Sequence, residues 1–294
     1  MAFNRFFGRG RDAAPPPPPD ELDAIGHPES ETDDESFETP EVAPERSWRE
    51  RAEAVLPTGA STGSKRAEAL YGDAQTDAPT HFVAARGCRL TAVDGERYLD
   101  CTMALGAVAL GYAEPRVTQA VIEAASQGNV SALSSWREVE LAERLCAVIP
   151  CAERAQILKT GAEATSAAVR LARTYTGRSK VVASGYFGWH DWSSDVAGVP
   201  DGTKRDVTHV PFDDIGALER AVSAAGNDLA AIVLEPIVER LPSAEWLTRA
   251  RALCDAAGAA LIFDEVKTGF RVALGGYQEV CGVTPDLASV GKAL

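Results

Sequence analysis

The sequence has no apolar run of the roughly 18 residues that a membrane-crossing helix requires, which argues against a membrane span. Its six cysteines (Cys88, Cys101, Cys146, Cys151, Cys254 and Cys281) form no C-x-x-C pair and have no histidine at ligand spacing. That pattern speaks against a disulfide framework and against a zinc site, and it favours reduced thiols in a cytoplasmic protein. Basic residues are few relative to acidic ones, 29 against 43, and a net charge of −14 disfavours nucleic acid as a partner. No internal repeat is visible, so a solenoid or propeller is not indicated. Arg5, Arg9 and Arg11 among Phe3, Phe6 and Phe7 resemble a targeting peptide, but no apolar core segment follows them, only Pro15–Pro19.

What is present divides at about residue 47. Residues 1–47 combine the proline run with an acidic stretch (Glu29, Glu31, Asp33, Asp34, Glu35, Glu38, Glu41, Glu45) and little to bury, so they are expected to be a disordered tail. Residues 48–110 are expected to hold helical material and then a β-meander over His81–Cys101, with turns at Arg86-Gly87 and Asp94-Gly95. Helical spacing follows at Pro115–Ser126 and Glu138–Val148. Beyond residue 155, short apolar runs at Gln156–Leu158, Lys180–Ala183, Val207–Phe212, Ala230–Leu234, Ala260–Phe263 and Leu287–Val290 read as strands. Helical patterns at Glu163–Tyr175, Ile215–Ala225 and Ala244–Ala257 separate several of them. Strands of unbroken apolar character alternating with helices predict an α/β domain over 111–294, with a mainly parallel sheet and flanking helices.

Four features fall at the strand ends of that domain, where such sheets collect ligands. Lys159-Thr160-Gly161-Ala162-Glu163 opens a helix, and free amides there suit an anion, although a plain helix start is an equal reading. Gly185-Tyr186-Phe187-Gly188-Trp189-His190 offers aromatics that either stack on a planar ring or cap the core, and His190 reads better as a core histidine than as a base. Asp264-Glu265 ends a buried strand and needs a partner there, whether a salt bridge, a metal or a protonated pyridine nitrogen. Gly291-Lys292 ends another; desolvation of such a lysine favours the neutral amine that carbonyl chemistry requires, while the plain alternative is a surface lysine near a frayed end. Each alone is ambiguous. Together, in this order, they are the set that a pyridoxal 5'-phosphate (PLP) site needs: anion anchor, ring stack, pyridinium partner and amine.

The stretch from about Arg51 onward resembles the class III aminotransferases of PLP-dependent fold type I. The resemblance rests on Asp264-Glu265-Val266-Lys267-Thr268-Gly269-Phe270-Arg271, then Gly282-Val283-Thr284-Pro285-Asp286-Leu287 and Gly291-Lys292. Asp94-Gly95, Tyr98-Leu99-Asp100, Thr160-Gly161-Ala162-Glu163-Ala164, Arg170-Leu171-Ala172-Arg173 and Glu235-Pro236 support it. By resemblance, Lys292 is the lysine that carries the cofactor and later shuttles the proton. Asp264 pairs with the ring nitrogen, and Gly161 and Ala162 give amides to the phosphate. Tyr186 and Val266 take the two ring faces, and Glu235 is a carboxylate beside the cofactor on the substrate side. The N-terminal helix and meander would belong to the family's small domain.

Within the family the pattern is nearest to the glutamate-1-semialdehyde aminomutase type, with departures. Phe187 stands where His is frequent, Thr160-Gly161-Ala162 where Ser-Gly-Thr is usual, Leu105 at a substrate-pocket Trp and Arg240 near an Asn. The preferred reading is therefore an aminotransferase acting between an amine or amino acid and a keto acid or aldehyde, with intramolecular amino transfer as the alternative. A homodimer is implied by resemblance alone. Family members continue beyond the lysine, so the chain is expected to be C-terminally truncated. An inactive paralogue or scaffold is the reading from another class.

Overall fold

The computed structural model describes residues 46–294 apart from 74 and 129. The expected tail thus lies, but for its last two residues, outside the described residues, as does the arginine–phenylalanine segment. The described residues group into two compact units, 46–128 and 130–294.

In the first unit, α1 (Trp48–Val55) starts at a capping box. The Ser47 hydroxyl accepts from the Glu50 amide, and the Glu50 carboxylate accepts from the Ser47 amide, so two donors that the helix leaves over are satisfied. The short helix α2 (Ala67–Tyr71) leads to an antiparallel meander of β1 (Phe82–Arg86), β2 (Arg89–Ala92) and β3 (Arg97–Leu99), in that order. A helical turn, α3 (Met103–Gly106), and α4 (Pro115–Ser126) follow. Met103, Ala104 and Leu105 all have positive φ, an uncommon run for residues with a Cβ. The Tyr112 hydroxyl donates to the Asp100 carboxylate at 2.6 Å and ties this turn to the meander.

In the second unit, α5 (Trp136–Val148) and α6 (Gly161–Thr176) precede β4 (Lys180–Ser184). Then come α7 (Asp201–Lys204), β5 (Val207–His209), α8 (Ile215–Ala225), β6 (Leu229–Leu234), α9 (Ala244–Ala257), β7 (Ala260–Glu265), α10 (Tyr277–Cys281) and β8 (Leu287–Val290). The five strands form one parallel sheet in the order β5-β4-β6-β7-β8. Side chains alternate across it, so the three central strands β4, β6 and β7 feed two cores. Val182, Ile232, Leu234, Leu261 and Phe263 pack with Leu218, Trp246, Leu247 and Cys254 of α8 and α9. Val181, Ala183, Ala231, Val233 and Ile262 pack with Val169 and Ala172 of α6. Burying a side chain such as Phe263 or Leu234 contributes about 1.5–3 kcal/mol each, which is why these strands read as unbroken apolar runs.

The meander, the parallel sheet and the flanking helices are as the sequence predicts. One strand is not: Gln156–Leu158 has no strand pairing, and Ile157 and Leu158 are exposed. A β-strand exists only through a partner, and β8, at the edge of the sheet, pairs with β7 alone among the described residues. The strand expected over Val207–Phe212 stops at His209, because the chain turns at Asp213, with φ +64, to enter α8.

Candidate active site

Parallel strands deliver their carboxyl ends to one side, and α6 begins at that side. Thr160 caps α6 through a second capping box: its hydroxyl accepts from the Glu163 amide at 3.2 Å, and Glu163 accepts from the Thr160 amide at 3.0 Å. Gly161 and Ala162 are the first two residues of the helix, so their amides have no partner within it and lie at its positive end. Gly161 is required by close approach: a Cβ there would stand 2.7 Å from the Val266 side chain.

Asp264, only 4 % exposed at the end of β7, accepts from the Thr165 hydroxyl at 2.7 Å and from the Val266 amide at 3.1 Å. Burial pushes its carboxyl up to about 6, against the opposing pull of those two donors; the charge of Glu235 adds to the rise and that of Lys292 counters it. Its carboxylate is thus held by donors on both oxygens, yet sits close enough to neutrality to exchange a proton near pH 6. Glu235, after β6, accepts from the Tyr186 amide at 2.8 Å and ion-pairs with Lys267 at 3.1 Å. The Lys267 ammonium also donates to the carbonyls of Ile237 and Val238. Gly185 makes the first contact possible, since its φ is +132 and a Cβ would lie 2.8 Å from the Glu235 side chain.

The aromatic stretch divides its labour. Phe187 is 2 % exposed and stacks on Trp192 at 5.9 Å within the core, whereas its neighbour Tyr186 is 72 % exposed. His190 is half-buried with Nδ1 2.7 Å from the Ser166 hydroxyl, which also accepts from the Trp192 indole N–H at 2.8 Å. This structural engagement agrees with the core reading of His190. The expectation of a buried Lys292 needs correction: the residue is exposed. It follows β8 with φ +51, two residues before an exposed Leu294.

Gly161, Ala162, Tyr186, Glu235, Asp264, Val266 and Lys292 all line one cleft of about 1920 Å³. It exceeds the ~300–1,000 Å³ usual for a small-molecule site. It also reaches residues 155–158, Leu141 and Leu145 of α5, and Arg251 and Asp255 of α9. Among the described residues no cluster of His, Cys, Asp and Glu could hold a metal ion, so the metal reading of Asp264 has no ligand set. The donor set suits PLP instead: unpartnered amides at a helix start for the phosphate, a buried carboxylate with acceptor capacity to spare for a ring N–H, and an amine on the same cleft.

Residues 71–294 match the family model for class-III aminotransferases. The chain belongs to the class III aminotransferase family. Two curated members are similar to it: a 3-aminobutyryl-CoA aminotransferase of Cloacimonas acidaminovorans, 36% identical over 253 residues, and a glutamate-1-semialdehyde 2,1-aminomutase of Methanothermobacter thermautotrophicus, 39% identical over 261. These alignments cover 83% and 82% of this chain and 60% of each relative, so the chain spans about 60% of the length of the curated relatives it matches. Among solved structures, the FumI protein of Sphingopyxis sp. MTA144, in its PLP internal aldimine form, superposes with a TM-score of 0.77 at 30% identity. That match covers 83% of this chain and 60% of that one. The fold is that of the PLP-dependent transaminases.

Within this class III site, sequence reasoning missed the hydroxyls of Thr165 and Ser289 and the Lys267 bridge. Only Thr165 carried a local signal, four residues after Gly161 and therefore on the same face of α6.

Proposed function

We propose that the chain is the cofactor-binding part of a PLP-dependent aminotransferase that moves an amino group between an amine or amino acid and a keto acid or aldehyde. The observation that carries this reading is the convergence of the α6 amino end, Asp264 and Lys292 on one cleft, within residues 111–294. The Gly161 and Ala162 amides bind the phosphate with the dipole of α6 behind them. Asp264 holds a proton on the ring nitrogen, and Val266 and Tyr186 bracket the ring. When bound, PLP supplies an electron sink for a carbanion at the substrate Cα. The Lys292 amine anchors the cofactor and then takes the proton from that carbon. Glu235 fixes the backbone of Tyr186 and presents its charge, paired with Lys267, to the substrate side.

The six cysteines are unpaired, which suits a reducing cytoplasm. A homodimer is part of the proposal and rests on the family alone. Intramolecular amino transfer is the second reading, favoured by the similarity to an aminomutase and opposed by Leu105 and Arg240 at positions where that type has other residues.

The test is borohydride reduction of the purified chain after addition of PLP, followed by peptide mapping. Label confined to Lys292 is expected. Label spread over the other lysines, or none, would overturn the assignment.

A further inference from the structure

Three buried polar side chains from three elements meet at one point. Thr165, on the second turn of α6, is 0 % exposed, and Ser289 and Asp264 are nearly so. Ser289 of β8 is the register partner of Asp264 on β7, so the parallel sheet sets them side by side. The Thr165 Oγ1 lies 2.7 Å from Asp264 Oδ2, 2.8 Å from Ser289 Oγ and 3.0 Å from the Gly161 carbonyl.

Counting protons fixes the direction of these bonds. Thr165 has one hydroxyl hydrogen, and both the carboxylate and the carbonyl can only accept. The charged acceptor at the shorter distance takes it, because hydrogen bonds to an ionised oxygen are about twice as strong as neutral ones. With its hydrogen spent, Thr165 must accept from Ser289. The chain therefore runs Ser289 to Thr165 to Asp264 Oδ2, while the Val266 amide serves Oδ1.

We propose that Thr165, backed by Ser289, is the positioning residue that keeps Asp264 an ionised acceptor and fixes its place relative to the amino end of α6. The inference rests on the PLP reading of the cleft and deepens it: one hydroxyl couples the turn offered to the phosphate with the carboxylate offered to the ring nitrogen. The charges that face Asp264 are Glu235, beyond β6, and Lys292, beyond β8, and they act in opposite senses. What opposes the burial of the carboxylate is then chiefly the Thr165 hydroxyl and the Val266 amide. Losing the first raises the proton affinity of Asp264, and a neutral Asp264 no longer favours a proton on a ring nitrogen.

The experiment is a carboxyl ¹³C NMR titration of the full chain without added PLP, with aspartate labelled and the Asp264 resonance assigned by its loss in Asp264→Asn. Wild type should titrate near 6. Thr165→Val, nearly isosteric, should move the midpoint up by about one pH unit, the scale of a lost charge-assisted bond. Thr165→Ser should restore it, and Ser289→Ala, acting through Thr165, should move it up by less. A merely structural role for Thr165 would lower stability and leave the midpoint in place. Unchanged midpoints in Thr165→Val and Ser289→Ala overturn the proposal; if Thr165→Val fails to fold, an unchanged Ser289→Ala midpoint does so alone. Borohydride labelling of the same samples separates the two readings. A shifted midpoint without label at Lys292 sinks the cofactor and leaves the hydroxyl chain, and label with no shift does the reverse.

Discussion

Replacing Asp264 by Asn should make the cofactor-free chain more stable at neutral pH. Burial raises the carboxyl of Asp264 from 3.8 to about 6, roughly two pH units, and each unit is worth about 1.36 kcal/mol. An acid whose pKa is higher in the folded state binds its proton more tightly there than in the unfolded chain. Stability therefore falls as pH rises from about 4 through about 6 and is level above. At pH 7.5 the ionised Asp264 costs about 3 kcal/mol. An uncharged amide escapes that cost but leaves one of the two donors, Thr165 or Val266, without an oxygen, which returns about 1 kcal/mol. The net expectation is a gain of about 2 kcal/mol for Asp264→Asn at pH 7.5, shrinking to nothing or reversing at pH 4.5. Urea unfolding at the two pH values, with the slope compared between variants, measures it. A variant less stable than wild type at pH 7.5, or an advantage unaltered at pH 4.5, would refute the reasoning. Under the proposed aminotransferase function, the same substitution should retain some cofactor and lose most turnover.

Two further substitutions probe the scaffold. Glu265 is 0 % exposed and its carboxylate takes the Thr268 hydroxyl, the backbone amides of Tyr277 and Gln278 and the Gln278 side-chain amide, so Glu265→Ala should cost about 4 kcal/mol by orphaning these donors; a loss under about 1 kcal/mol in urea unfolding would show that water replaces it. Gly161→Ala drives a methyl into Val266, so it should weaken PLP binding about tenfold and destabilise by about 1–3 kcal/mol, and Val266→Ala in the same chain should restore the stability alone, as fluorescence titration and urea unfolding would report.

The legible parts of this molecule are those written locally. The strands β4, β6 and β7 announce themselves because both faces are covered, and the start of α6 because Thr160 and Glu163 stand at capping-box spacing. The residues of the cleft were ambiguous one by one and legible only as an ordered set, since each lies at a strand end or opens a helix. What could not be read is whatever depends on distant partners. Thr165 meets Asp264 across 99 positions and Ser289 across 124, and no local pattern encodes either bond. Residues 156–158 fail for the same reason: their composition suits a strand, but pairing is a property of two segments. The exposure of Lys292 likewise depends on what else packs around the end of β8.

The contrast between Tyr186 and Phe187 has a kinetic consequence. Phe187 is clamped in the core and the Tyr186 amide is bonded to Glu235, so the backbone between them is a fixed hinge pin, while the tyrosine ring hangs from it in the open cleft. Such a ring is a door on a rigid frame. It swings by rotamer flips on the picosecond-to-nanosecond scale, with no need for the slower rearrangement of a loop. A flat ligand arriving in the cleft would thus find its aromatic cover without waiting for the chain to move.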